Sequence, residues 1–142
     1  MIKSFTWRIK DTFVDYVRRF GSVTVVEPAG EDGEGFVFPL EASESGLLRF
    51  KGSVEFSAHG GLLSACVANP WVHAESAGSY VTIDGTARTQ TEGSRLRLAE
   101  IAGAISPDAV LGTYSAVLSE VGVALFEYRY EAGDSLAHVR LA

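Results

Sequence analysis

Residues 46–72, GLLRFKGSVEFSAHGGLLSACVANPWV, carry the strongest β-strand pattern in the chain. Apolar and polar residues alternate there, so that Phe50, Val54 and Phe56 share one face of an extended chain while Glu55 lies on the other. The His-Gly-Gly that follows predicts a turn, and LLSACVA then returns as the second strand of a hairpin. This stretch therefore predicts an antiparallel β structure.

Short strand patterns lie on both sides of this hairpin. SVTVVEP and GFVFPL precede it around the glycine-rich AGEDGEG, and SYVTIDGTA and SRLRLAEI follow it around RTQTEG. ALFEYRYEAG predicts a last strand, with Phe126, Tyr128 and Tyr130 on one face. Residues 106–122 are ambiguous, because a Ser-Pro helix start is interrupted by Gly-Thr. The spacing of about ten residues between strands is typical of an antiparallel meander.

A helical pattern precedes the strands, in WRIKDTFVDYVRRFG, residues 7–21. We expect Ser4 to cap this helix and Gly21 to end it in the left-handed conformation. Tyr16 lies on the edge of the apolar stripe. The stripe itself consists of Ile9, Phe13, Val17 and Phe20.

These patterns together predict one domain over residues 1–142. Its fold class is mainly β (α+β), an antiparallel β-sandwich or partly closed barrel with the N-terminal helix packed against it.

Composition narrows the classes of function. With 12 basic and 18 acidic residues, the net charge of −6 argues against a nucleic-acid partner. A single cysteine, Cys66, excludes an internal disulfide and any site built from several cysteines. No apolar run approaches the roughly 18 residues of a transmembrane segment, and the N-terminus lacks the apolar part of a secretory signal. If Met1 is the native start we expect a cytoplasmic protein; a piece of an exported protein would lie outside the cell or at its surface.

Few side chains form a recognisable pattern for chemistry. None of the three histidines accompanies a nucleophile motif or a zinc-ligand spacing. His59 is the most informative, because it follows an alternating strand and precedes two glycines; a turn-capping histidine is the alternative. Phe36 and Phe38 would share one face, which suits a core and a flat apolar ligand equally well.

The order FTWRIKDTFVDYVRRFG, GFVFP, LRFKGSVEFSAHGGLL, NPWV and ALFEYRYEAG resembles the HtaA domain of bacterial haem-uptake proteins, over nearly the whole chain. The resemblance implies haem binding through a tyrosine of the first helix, a histidine after the central strand and a tyrosine before the closing Ala-Gly. Those positions hold Tyr16, His59 and Tyr130, with Tyr128 the nearest rival of Tyr130.

The resemblance also implies a chemistry for these residues. Ferric iron is a hard Lewis acid that favours a phenolate, so Tyr16 would be the axial ligand of ferric haem (haem b). His59 would donate a hydrogen bond to the phenolate oxygen and Tyr130 would extend the network. Residue type alone suggests Phe36 and Phe38 for the porphyrin faces, and Arg18 or Arg19 for a propionate.

The leading hypothesis is a haem-binding protein, not an enzyme, that captures and transfers or buffers ferric haem. Its partners would be a haem donor or acceptor protein, and a homodimer with haem between two copies is left open. One alternative is a peroxidase-like haem enzyme. Another is a β-sandwich module that binds a different apolar ligand or a protein partner, in which Tyr16 and His59 are structural.

Overall fold

Two antiparallel sheets and one α-helix form the part of the chain that the computed structural model describes, residues 2–102 and 111–142. The helix is α1 (Asp11–Phe20), and short 3-10 segments span His59–Gly61 and Val121–Phe126. The strands are β1 (Ser4–Trp7), β2 (Gly21–Val26), β3 (Gly30–Asp32), β4 (Gly35–Glu44), β5 (Leu47–Phe50), β6 (Ser53–Ala58), β7 (Leu63–Ala68), β8 (Trp71–His73), β9 (Ser79–Asp84), β10 (Arg95–Ile101), β11 (Gly112–Leu118) and β12 (Ser135–Leu141).

The larger sheet closes into a barrel. Among the described residues its order is β1-β12-β11-β10-β9-β8-β5-β4, and β1 also pairs with β4, which completes a ring of eight antiparallel strands. β3 adds to β4 outside the ring. The prediction of a mainly β fold with a short helix is confirmed. The barrel is closed, however, whereas the sequence predicted a sandwich or a partly closed barrel.

Closure depends on β1, where the helix prediction is wrong. Ser4 belongs to this strand and caps no helix, since α1 begins only at Asp11. Phe5 and Trp7 are fully buried, and β1 bonds to β12 on one edge and to β4 on the other. Gly21 does not end α1 in the left-handed region either, because its φ is −167° and it begins β2.

The long alternating stretch divides between the two sheets. β5 belongs to the barrel, whereas β6 lies in the smaller sheet, of order β2-β6-β7. Gly52 makes the corner between them: its φ is +119°, and a Cβ there would lie 2.5 Å from the Cβ of Ala29. The predicted hairpin is confirmed, with Val54 paired to Val67 and the turn at His59–Gly61.

One continuous core lies inside the barrel and between it and the smaller sheet. In the barrel, the Phe5 ring contacts Phe38 and Phe50. Phe36 extends the cluster to Phe56 of the smaller sheet. From there Phe13 of α1 joins Phe56 to Phe126. The helix is therefore fixed by aromatic packing on its buried side, and its other side is free to carry a site.

The C-terminal part also departs from the prediction. ALFEYRYEAG does not form a strand: Val121–Phe126 is a 3-10 helix, and Glu127 and Tyr128 follow with φ of 54° and 62°. The ambiguous residues 106–122 include strand β11 and the start of this 3-10 helix. The proposed helix start at residues 106 and 107 lies outside the described residues.

Candidate functional site

The end of α1 and the end of β6 meet at one point. β2 follows α1 without a connecting loop, and its first residue, Gly21, pairs with Ala58, the last residue of β6. A Cβ on Gly21 would lie 1.9 Å from the backbone oxygen of Ser57, so only glycine permits this approach. As a result, the last turn of α1 faces the turn that begins at His59.

Tyr16 and His59 form a hydrogen-bonded pair at this junction. The phenol oxygen of Tyr16 lies 2.5 Å from Nε2 of His59, and the two ring centroids are 5.7 Å apart. His59 has a φ of +55°, unusual for a residue with a side chain, and is exposed, while Tyr16 is half-buried. The resemblance named these two residues, and the structure brings them together.

Phe20 is a residue that sequence reasoning assigned to the buried stripe of the helix. Its side chain is 49% exposed, and its ring stacks on His59 at 5.8 Å and 27° and contacts Tyr16 at 4.9 Å. It is the last residue of α1, where the core no longer covers the helix. That terminal position is the sequence signal that could have identified it.

Basic side chains surround this aromatic group although the protein is acidic overall. The guanidinium of Arg129 lies 4.7 Å from the ring centroid of Tyr16, and that of Arg19 lies 5.5 Å from the ring of Phe20. Both are cation–π distances. Because Arg129 is exposed, its charge is also available to an anionic group that approaches Tyr16.

Tyr130 lies close to the pair but is not bonded to it. Its hydroxyl oxygen is 3.0 Å from the hydroxyl of Thr12, one helical turn before Tyr16. The ammonium of Lys10 lies 5.0 Å from the Tyr130 ring centroid. Tyr128 is 76% exposed and lines a cavity of about 350 Å³ beside β7. The structure therefore gives Tyr130, rather than Tyr128, the contact with α1.

The structure contradicts the assignment of Phe36 and Phe38 to a ligand. Their side chains are 1% and 0% exposed and belong to the core, so neither is available to cover a porphyrin. Alternation correctly placed them on one face, but the inside of the barrel occupies that face. Arg18 forms an ion pair with Glu31 and lies near Phe36, away from His59.

The described ranges 2–102 and 111–142 contain neither a cluster of metal ligands nor a helix that could span a membrane. No group of three or more His, Cys, Asp or Glu side chains there could hold a metal ion. None of the helices in those ranges is long and apolar enough to cross a membrane.

Comparison with known proteins identifies the family. The family model described as Htaa matches residues 3–142. This chain belongs to the HtaA family. A comparison with curated protein sequences gives no match.

Three solved structures from Corynebacterium glutamicum resemble this HtaA-family chain. The haem-binding protein HtaB has a TM-score of 0.82 and 19% identity, covering 99% of this chain and 91% of its own. The N-terminal domain of HtaA has 0.78 and 17%, covering 100% and 97%. The C-terminal domain of HtaA has 0.74 and 22%, covering 98% and 96%. At these identities the likeness concerns the fold.

Proposed function

We propose that this HtaA-family protein binds ferric haem b reversibly and passes it between a donor and an acceptor protein. The observation that carries the proposal is the 2.5 Å contact between the Tyr16 oxygen and Nε2 of His59. A tyrosine hydroxyl needs a protein partner mainly when it is buried, yet the hydrogen bond between Tyr16 and His59 is exposed. Here an exposed histidine with an unusual backbone conformation is directed at that hydroxyl.

The phenol oxygen of Tyr16 is a suitable ligand atom for haem iron. Tyrosine is one of the residues that ligate haem iron, and a hard ferric ion favours its phenolate oxygen. When bound, haem would supply a Lewis-acidic ferric ion. Tyr16 would provide the ligand atom and His59 would donate a hydrogen bond to it, fixing the direction of the phenolate lone pairs.

The side chains around Tyr16 and His59 also fit haem. Porphyrin is flat and apolar, and its propionates are negative, so a suitable surface combines exposed aromatic rings with cations. Phe20 supplies the exposed ring that Phe36 and Phe38 cannot. Arg129 and Arg19 supply positive charge beside it. We therefore assign porphyrin contact to Phe20 and a propionate to Arg129.

We propose a carrier rather than an enzyme because of the same hydrogen bond. Donation from His59 holds the phenolate in the orientation that binds iron, and protonation of the phenolate oxygen would break the iron–oxygen bond, so capture through this one ligand is reversible. HtaB, whose fold this chain shares, is a haem-binding protein, which agrees with this proposal.

An absorption titration of apo-protein with ferric haemin tests the proposal. We expect saturation at one haem per chain for the wild type and for Tyr80→Phe. Tyr80 is a matched control because its hydroxyl donates to Glu75, apart from the candidate site. Tyr16→Phe should weaken binding at least about a hundredfold, since it removes the ligand atom. Wild-type affinity in Tyr16→Phe would contradict the assignment.

The same titration separates the two rival tyrosines. Tyr130→Phe removes the hydroxyl that contacts Thr12 and should alter haem affinity, whereas Tyr128→Phe should leave it unchanged. A larger effect for Tyr128→Phe would reverse the choice that the structure favours.

A further inference from the structure

The turn that presents His59 has little support of its own. His59, Gly60 and Gly61 have φ of 55°, 66° and 93°, and nothing lies within 4 Å of where a Cβ on either glycine would be. Leu62, the next residue, is 78% exposed, so the turn gains little from apolar burial. Its internal bond runs from the Leu62 N–H to the His59 oxygen at 3.3 Å. Such a segment needs an external contact to hold one conformation.

Arg88 provides that contact from the loop between β9 and β10. Its Nη2 donates to the Gly61 oxygen at 2.9 Å, and its Nη1 donates to the Leu62 oxygen at 3.1 Å. Nη1 also lies 3.2 Å from Oε2 of Glu127. One guanidinium therefore holds two successive carbonyls of the turn and a carboxylate. A planar fork can satisfy this arrangement, whereas an ammonium cannot reproduce it.

Glu127 connects this clamp to the other side of Tyr16. Its Oε2 also accepts a hydrogen bond from the backbone N–H of Ser64, the second residue of β7, at 3.2 Å. Glu127 opens the segment 127–130, in which Arg129 covers the Tyr16 ring and Tyr130 contacts the helix. The Arg88–Glu127 pair thus joins the two segments between which the Tyr16 side chain lies.

The loop that carries Arg88 is itself organised. The N–H of Thr86 donates to Oγ1 of Thr89 at 3.2 Å, and the hydroxyls of Thr89 and Thr91 are 2.5 Å apart. The backbone N–H of Thr91 donates to the Thr86 oxygen at 3.0 Å. These bonds shape the loop independently of Arg88, so removing the guanidinium should release the turn without unfolding the loop.

We propose that Arg88 is a positioning residue that holds His59 against Tyr16 and thereby sets the rate at which haem leaves the protein. The part that concerns haem rests on the proposed function; the part that concerns His59 does not. Arg88 acts only through the turn, so its effect on haem release must depend on the presence of the His59 imidazole.

A double-mutant cycle tests this dependence, with haem transfer to apomyoglobin as the measurement. We expect Arg88→Ala to speed haem release about tenfold, the scale typical of partners that orient a ligand. Arg88→Lys should restore the slow wild-type release only in part. In a His59→Ala background the same change should have less than about a twofold effect. Arg97→Ala is the matched control, because Arg97 is also ion-paired, to Glu100, but contacts Tyr80.

The outcomes decide the proposal. An equal acceleration with and without His59 would overturn it, as would no acceleration in either background. Imidazole nitrogen shifts of His59 in the apo-protein supply a test without haem: Arg88→Ala should change them and Arg97→Ala should not. If the wild type takes up no haem, the proposed function is wrong, and these shifts still decide whether Arg88 positions His59.

Discussion

The closed barrel and the junction of α1 with the smaller sheet use their aromatic residues in opposite ways. Phe38 of the barrel is 0% exposed and packs on Phe5, whereas Phe20 at the end of α1 is 49% exposed and stacks on His59. The same side chain contributes buried apolar area in one place and an exposed ring in the other. The buried packing and the proposed haem site therefore lie in separate regions of the molecule.

The largest expected effect tests this separation with matched substitutions. Phe38→Ala should lower the free energy of unfolding by about 3–5 kcal/mol, because it leaves a cavity in a closed core. Phe20→Ala should cost about 1 kcal/mol or less, since half of its surface is already in water, yet it should speed haem release. Urea unfolding followed by tryptophan fluorescence measures the loss of stability in both variants. Equal losses of stability would mean that the two regions are not separate.

A smaller effect is expected at the contact that joins the regions. Gly21→Ala should cost about 2–3 kcal/mol and weaken haem binding, because the new Cβ would collide with the Ser57 oxygen and displace α1 from the His59 turn. Gly33→Ala is its control, with nothing within 4 Å of its Cβ position. If Gly21→Ala binds haem as the wild type does, the junction is not what brings Tyr16 and His59 together.

The smallest expected effect concerns the reactivity of Cys66, on the outer side of β7. Burial, together with the carboxylates of Glu55 and Asp84, raises the pKa of the Cys66 thiol to about 11. Little thiolate then exists near about pH 8, so iodoacetamide should react at least about tenfold more slowly than with glutathione. The rate should rise with pH toward the pKa, and at fixed pH it should rise in concentrated urea. Fast alkylation of the folded protein would show that this side is open.

Local sequence patterns correctly predict those elements whose tertiary contacts favour the same secondary structure. The β6–β7 hairpin and the turn at His59 follow from alternation and two glycines, which act over a few residues. The pair of Tyr16 with His59 follows instead from the order of motifs across the chain. Neither residue carries a pattern of its own that distinguishes it from packing or turn-capping.

Other predictions fail where pairing with strands that are distant in sequence determines the secondary structure. A helical stripe follows Ser4 and favours a helix cap there, yet pairing with β12 and β4 makes this residue part of a strand. Tyr128 and Tyr130 alternate as strand residues would, but the preceding chain forms a 3-10 helix that packs Phe126 into the core. Both edges of β1 are satisfied by segments that lie far away in sequence.

The sequence by itself determined a mainly β domain, its central hairpin, its N-terminal helix and its membership of one family. Periodicity and turn residues are enough for the first three, because they depend on neighbours along the chain, and the order of motifs is enough for the family. Only the tertiary structure decided that the barrel closes, that Phe36 and Phe38 belong to the core, and that Phe20, Arg129 and Arg88 lie around Tyr16 and His59. Alternation specifies that residues share a face, but what covers that face depends on which distant segments fold against it.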